Sequence, residues 1–547
     1  MRRDRNRNLL ALGFVAVLLG GGAAALSGTT DEKAQFTFNN ATEVESFDPK
    51  VVTGVPEGRV LRCLLEGLAN PHPETLRPVP GVAESWDVSD DGLVYTFHLR
   101  QDARWTDGEP VTSADFLYAW KRFLDPEEPA TYAYILDVVK NAKAYYQDKT
   151  VTDFAEVGVR APDEWTFVVE LAASTPYFLD LTHFYPLYPV PRHVVEKYGD
   201  EWIRPEHFVG NGAFKLEERR FRDRVRLVKN VLYWDAANVR LESVDILPVD
   251  DHVTGLNLYL TGVVDWETDV PHHVIPELKK RADFKPKPYL GSYFYRVNLQ
   301  NKDLLKRRLV GDPRFRKALY LAMDRQAIVE SITKAGEVPA RSLVPPGIDG
   351  YDGPMLPDRN LEEARRLVAE VKRDLHVDKL PTLTILYNTH ETHRQIAEVI
   401  QVQWAKELGI PVKIENQEWG TYLTSQRQLD YDICRAAWIG DYADPNTFLD
   451  MFVTGGGNNN TGYASEDYDG LIRKAGKERD PAERMRILRR AEELLLTDLP
   501  VLPIYYYVTK NLVRPWVKGF HPNVQNIHPL KFVWIDEAEK RERSGER

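Results

Sequence analysis

The sequence predicts an α/β protein built from more than one folding unit, and three observations carry that prediction. A strand, a helix and a second strand succeed one another between residues 382 and 414, an order that builds a partly parallel sheet. Strands with two-residue alternation mark the first half of the chain, and amphipathic helices gather after Asn298. The length of 547 residues, with 43% hydrophobic and 28% charged content, exceeds what one hydrophobic core organises, so two or three units are expected.

Taken in order, the chain opens with Arg2, Arg3, Arg5 and Arg7 ahead of an apolar run from Leu9 to Leu26. Charge followed by hydrophobe is the pattern of a secretory signal. Ala23, Ala24 and Ala25 offer small residues for cleavage, and the run is nearly long enough to remain as a membrane anchor. Residues 1–30 are therefore read as a signal peptide or anchor. No cysteine lies nearby to carry a lipid, and the Arg2-Arg3 pair lacks the flanking residues of a folded-export signal.

Residues 35–46 read as a strand and loop, and a short helix is expected over 59–67. Asp90, Asp91 and Gly92 turn the chain into residues 95–100, where Tyr95, Phe97 and Leu99 share one face of a half-buried strand. Thr112 to Asp115 form a capping box that opens a helix carrying Phe116, Leu117, Trp120 and Phe123. Trp165, Phe167, Val169 and Leu171 alternate as another strand, and the prolines of 186–191 mark a crossing between units near Val190. From Asn211 to about Val249, strand follows strand.

Beyond Asn298, helices are expected over 313–334, 361–371 and about 393–408. The last carries Ile396, Ile400, Trp404 and Leu408 four apart and stops at Gly409. Strands over 382–387 and 411–414 flank it. A helix over 481–496 leads into residues 504–508, a run of strong strand formers, and the charged tail past Ile535 reads as disordered.

A formal charge of -11 with a pI near 5.7 argues against a general nucleic-acid or anionic-membrane surface, since either needs a basic face. Catalytic motifs are missing: there is no phosphate-cradling glycine loop, no zinc-protease signature, no paired cysteines and no nucleophile elbow. No cofactor is implied. His272-His273 reads as a solvated loop, because neighbouring side chains on extended backbone diverge. Residues 87–92 lack the closing glutamate of a calcium loop and fit a hairpin turn. Cys63 and Cys434 sit in apolar stretches and are expected as buried free thiols. A strand over 430–438 places Tyr431, Ile433 and Arg435 on one face, and an inward arginine needs an anionic partner, either a protein carboxylate or a ligand.

Several blocks carry a family resemblance in sequence order: Pro80 to Trp86, Tyr95 to Arg100 with Trp105 to Gly108 and Asp115-Phe116, Asn211 to Phe214, Tyr233-Trp234, and Ala322 to Arg325. Asn416 to Trp419 and Asp441-Tyr442 with Pro445 are the most telling. With these blocks the chain resembles the periplasmic oligopeptide-binding proteins, within the family of peptide and nickel solute-binding proteins of ABC importers. The resemblance implies a two-lobed periplasmic binding protein with an extra domain and a ligand cleft between lobes joined by a hinge. Domain I would comprise residues 31–66, 191–292 and 509–536, domain II residues 67–190 and domain III residues 293–508, with 537–547 as a charged tail.

The same resemblance implies a monomer that binds short peptides outside the cytoplasmic membrane and delivers them to the membrane permease of an ABC importer, with no nucleic acid involved and no enzymatic role. Another solute of the same fold, nickel, haem or a sugar, is the alternative. By analogy Asp441 pairs with the peptide's α-amino group, and Arg435 and His393 stand where cationic residues hold its carboxylate. Val55, Ala437 and Ile439 offer backbone groups, and Trp419, Trp438 and Tyr507 line the cleft. Two positions depart from the pattern. Gln426 stands where an arginine is expected seven residues after Trp419, with Arg427 next to it, and Thr333 precedes Lys334 where a lysine is expected.

Overall fold

Three sheets of four or more strands carry the architecture of the computed structural model, which describes residues 33–284 and 286–544. The arginines and apolar run at the amino terminus lie outside the described residues. Among the described residues no helix is long and apolar enough to cross a membrane.

The first sheet runs in the order Leu512–Val513, Trp266–Glu267, Phe36–Asn39, Ser243–Leu247, Arg224–Lys229, Phe214–Arg220. Phe36–Asn39 pairs in parallel on both sides and all four of its residues are buried, as a central parallel strand requires. A four-stranded antiparallel sheet follows the order Ala83–Val88, Val94–Leu99, Thr166–Glu170, Val159–Asp163. Phe97 and Phe167 face one core from adjacent strands, and the helix Ser113–Phe123 covers them behind its Thr112–Asp115 capping box.

The second six-stranded sheet has the order Val338–Pro339, Val501–Val508, Pro288–Val297, Ile433–Ile439, Leu383–Asn388, Val412–Gln417. Leu383–Asn388 runs parallel to both of its neighbours, and the helix Glu391–Leu408 makes the crossover to Val412–Gln417. Ile396, Ile400 and Trp404 are fully buried, and Gly409 ends that helix at φ +65, a conformation cheap only for glycine. Trp404 also donates its indole N–H to the Leu319 carbonyl at 3.0 Å.

The chain crosses from the first sheet to the second near Pro288 and returns near Thr509. The two crossings lie side by side: the Thr509 amide donates to the Lys287 carbonyl at 2.8 Å, and the Lys287 amide donates to the Thr509 hydroxyl at 3.1 Å. Adjacent strands that join two bodies at one edge are suited to a hinge.

Several elements differ from the sequence expectation. The helix expected over 313–334 breaks into Pro313–Ala322, Arg325–Ile328 and a wide turn Val329–Thr333. Met323 is extended at ψ 126, and the Asp324 carboxylate caps the new start by accepting from the Ala327 amide at 3.0 Å. The helix expected over 59–67 spans Val55–Leu64, because Pro56 fits its first turn and Leu65 already turns extended. The tail past Ile535 forms a helix, Glu537–Ser544, tied down by Lys518 on Glu539 at 2.6 Å. Tyr431 does not share a face with Ile433 and Arg435. The strand begins only at Ile433, and Tyr431 packs with Tyr422, Leu386 and Cys434 in a separate cluster.

Both cysteines are buried and free. Burial pushes the Cys63 thiol up to about 12 and the Cys434 thiol up to about 11. Thiol titration is therefore expected to find neither cysteine reactive in the native protein and both reactive after unfolding. Trp404→Ala should destabilise its lobe by about 3 to 5 kcal/mol, the range for emptying a large buried aromatic site, and thermal unfolding should report it.

Candidate functional site

The strand Ile433–Ile439 is the spine of the site. On one side it pairs with Pro288–Val297 from Val297↔Ile433 to Gly291↔Ile439. On the other side its pairing with Leu383–Asn388 stops at Leu386↔Cys434. Past Cys434 that edge has no strand partner among the described residues, so it can accept another extended chain. Ala437 and Ile439 lie on this stretch and line a cavity of about 360 Å³. Val55, exposed at the first turn of its helix where amides lack helical partners, lines the same cavity from the other lobe, as do Arg59, Arg62, Tyr132 and Tyr185. Trp419 stands at its rim, exposed.

Asp441 follows the strand, and its backbone is fixed twice. Its amide donates to the Thr447 hydroxyl at 3.2 Å, and its carbonyl accepts from the Gln525 side chain at 2.9 Å. Its carboxylate receives only the Tyr132 hydroxyl, at 3.4 Å, and no cation lies within ion-pair distance among the described residues. Burial therefore lifts the Asp441 carboxyl to about 7, against the smaller opposing pulls of the Tyr132 bond and the Arg62 charge. Asp441 also lines a second cavity of about 840 Å³, with Trp438, Gln426 and Arg427.

Arg435 projects to a different neighbourhood. Its guanidinium donates to the Asn388 side chain at 3.3 Å and to the Tyr507 hydroxyl at 3.1 Å, and it lies over the Tyr293 ring at 5.0 Å. Its Nε is buried without a partner, and no carboxylate of the described residues pairs with it. His393 joins this cluster, with Nδ1 3.3 Å from the Tyr293 hydroxyl. Burial first, then the Arg435 charge, holds its imidazole far below the usual histidine range, so it is neutral at physiological pH. It offers a hydrogen bond there and no charge.

The expected residues are thus brought together in two groups. Val55, Trp419, Ala437, Ile439 and Asp441 surround the smaller cavity, while Arg435, His393 and Tyr507 form a cluster on the sheet beside Tyr293. Trp438 faces the larger cavity and donates its indole N–H to Thr447 at 3.4 Å. Arg427 is exposed on the wall of the same larger cavity, and among the described residues its side chain bonds only the Thr424 hydroxyl, at 3.5 Å. Gln426 is buried, accepts from Arg296 at 2.8 Å and donates to the Arg435 carbonyl at 3.2 Å. Thr333 is fully buried, and Lys334 takes a left-handed conformation beside a separate groove of about 980 Å³. His272-His273 is not the solvated loop expected: it lies in the short turn His272–Val274, with His272 half-buried 3.2 Å from the Thr333 carbonyl and only His273 exposed.

Sequence reasoning missed Tyr132, Gln525, Arg59 and Arg62. The arginines carried a legible signal, a three-residue spacing on one helix, whereas Tyr132 and Gln525 reach Asp441 from 309 and 84 residues away.

The pattern that defines the bacterial extracellular solute-binding proteins, family 5 Middle, matches residues 77–460. The chain belongs to this family. The solute-binding protein is 37% identical over 537 residues to the periplasmic oligopeptide-binding protein OppA of Salmonella typhimurium, covering 95% of this chain and 96% of that one. Its fold superposes on the crystal structure of Haemophilus influenzae OppA in complex with RPPGFSPFR with a TM-score of 0.82 at 35% identity, covering 92% of this chain and 99% of the other. The unliganded open form of MppA, a periplasmic murein tripeptide-binding protein, gives 0.70 at 34% identity, covering 92% and 98%. At nearly equal identity the two-lobed arrangement is closer to the peptide-filled structure than to the open one.

The raised Asp441 carboxyl sets a pH dependence. Its folded value lies above its unfolded one, so the folded protein binds more protons and stability falls as pH rises from about 4 to 7. Asp441→Asn is expected to stabilise the ligand-free protein at pH 8 by on the order of 1 kcal/mol after solvent screening, and to have no effect near pH 4. Thermal melts at the two pH values check this.

Proposed function

We propose that the protein captures short peptides outside the cytoplasmic membrane and delivers them to the membrane permease of an ABC importer, acting as a monomer and carrying out no chemistry on its ligand. One observation carries the reading: a carboxylate and a guanidinium, Asp441 and Arg435, border a free strand edge, and neither has an ion partner among the described residues. All peptides share an ammonium, a carboxylate and a backbone, and this arrangement complements all three. Asp441 takes the α-amino group, Arg435 the carboxylate, and the edge at Ala437 and Ile439, with Val55 opposite, takes the backbone as an added strand.

The relatives named above, an oligopeptide-binding and a murein tripeptide-binding protein, support this class of ligand over nickel, haem or a sugar. Export is supported by the arginines and apolar run at residues 2–26. The domain division read from the sequence, with the hinge at the paired crossings, belongs to the same proposal. At the carboxyl end, the Gln426 side chain is spent on Arg296 and on the backbone of Arg435, and Arg427 is exposed. Arg435 is then the cation that takes the peptide carboxylate, with His393 as an uncharged neighbour.

Removing one partner of a buried ion pair costs about 3 to 5 kcal/mol, so Asp441→Asn should weaken binding of trialanine by roughly two orders of magnitude or more. Titration calorimetry at pH 7 reads the change, and an unaltered affinity overturns the assigned role.

A further inference from the structure

Arg59 and Arg62 lie three residues apart on the helix Val55–Leu64 and so share a face. Both line the cavity of about 360 Å³ that Asp441 borders. Arg59 donates to the Asn40 side chain at 3.2 Å and stands over the Trp266 ring at 5.6 Å, and Arg62 stands over the Tyr185 ring at 5.3 Å. The Nε of each is buried with no hydrogen-bond partner, and no carboxylate among the described residues lies within ion-pair distance of either. Asp269 and Glu267 act on Arg59 only from beyond that distance.

The other ionisable groups around the cavity do not balance this charge. Cys63 is held as a thiol, burial pushes His528 down to about 3, and Tyr132, Tyr185 and Tyr289 are held protonated by their burial. Asp441 is the one carboxylate on the cavity wall among the described residues. Once it is engaged by a ligand ammonium, two guanidinium groups remain without a carboxylate in ion-pair contact among the described residues. Arginine forks match a carboxylate in geometry and charge, and buried cations of this kind are stabilised by such a partner.

We propose that this cavity takes a ligand carboxylate close to the peptide's amino end, supplied by an acidic side chain and held by Arg59 and Arg62. The inference rests on the peptide-binding reading above and gives it a preference: peptides with Glu or Asp among their first two residues. Successive side chains of an extended ligand point to opposite sides, so one of those two positions faces the arginines.

Calorimetry with Glu-Ala-Ala, Ala-Glu-Ala and their Gln counterparts tests the preference without altering the protein. At one of the two positions Glu is expected to bind at least tenfold more tightly than Gln, and Arg62→Gln is expected to remove that ratio, read as Glu against Gln within the same variant so that any effect on Asp441 cancels. A ratio below tenfold at both positions, or one that survives Arg62→Gln and Arg59→Gln, overturns the inference. A dipeptide could instead bring its terminal carboxylate to the arginines. Preference for Ala-Ala over its amide that Arg62→Gln removes, with no Glu preference, would show that and also overturn the side-chain assignment. If the Gln peptides themselves do not bind, the peptide reading fails first, which separates the two outcomes.

Discussion

A charge held inside a protein without an ion partner costs free energy, and the cleft holds two ionisable groups of opposite sign in that state close to one strand. Much of the surrounding structure keeps Asp441 and Arg435 in that state. Thr447 and Gln525 fix the backbone of Asp441 while leaving its carboxylate one weak hydroxyl contact. Tyr422 and Gln426 donate to the Arg435 carbonyl, and Tyr293, Asn388 and Tyr507 surround its guanidinium with dipoles and a ring face in place of a carboxylate. The protein thereby forgoes stability at its own cleft, which the proposed ligand with two charged ends would restore.

The lobes meet where this debt is held. Tyr177 and Tyr442 stack with ring centroids 4.5 Å apart and planes within 7°, and Asn446 donates to both hydroxyls, at 3.3 and 3.2 Å. Behind them Arg484 and Asp444 form a buried two-pronged pair at 2.6 and 2.9 Å. That pair anchors the loop after Asp441 from within its own lobe. The contact surface is aromatic and hydrogen-bonded and the crossings are confined to one edge, so closure can be reversible while each lobe stays rigid.

The two ends of the cleft are built from different chemistry. Beside Asp441 the neighbours are arginines and tyrosines, so the carboxylate proposed to take the ammonium is set among cations on the opposite lobe. Beside Arg435 the imidazoles of His390 and His393 lie close, with His393 uncharged, and tyrosine hydroxyls supply the hydrogen bonds. In the proposed reading, recognition of the carboxylate end would rely on a single guanidinium in a polar, nearly neutral surround.

Periodicity made the fold class legible. Alternation at Tyr95, Phe97 and Leu99 and four-residue spacing from Ile396 to Leu408 act through neighbours on one strand or helix, and burial follows directly. In the segment from Asn416 to Asp441, alternation puts Ile433 and Arg435 on one strand face but wrongly adds Tyr431, and Trp419 and Asp441 are singled out by family resemblance instead of spacing. Local pattern failed where a competing interaction intervened. A side-chain cap at Asp324 broke a helix that apolar spacing alone would continue, and the charged tail found partners in Lys518 and Gln35. The sequence by itself determined which residue types stand on the ligand strand and in what order. Only the tertiary structure decided that Tyr132, Gln525, Arg59 and Arg62 surround Asp441, that Gln426 is occupied and that His393 is neutral, because proximity, burial and the field of distant charges arise only when remote segments pack together.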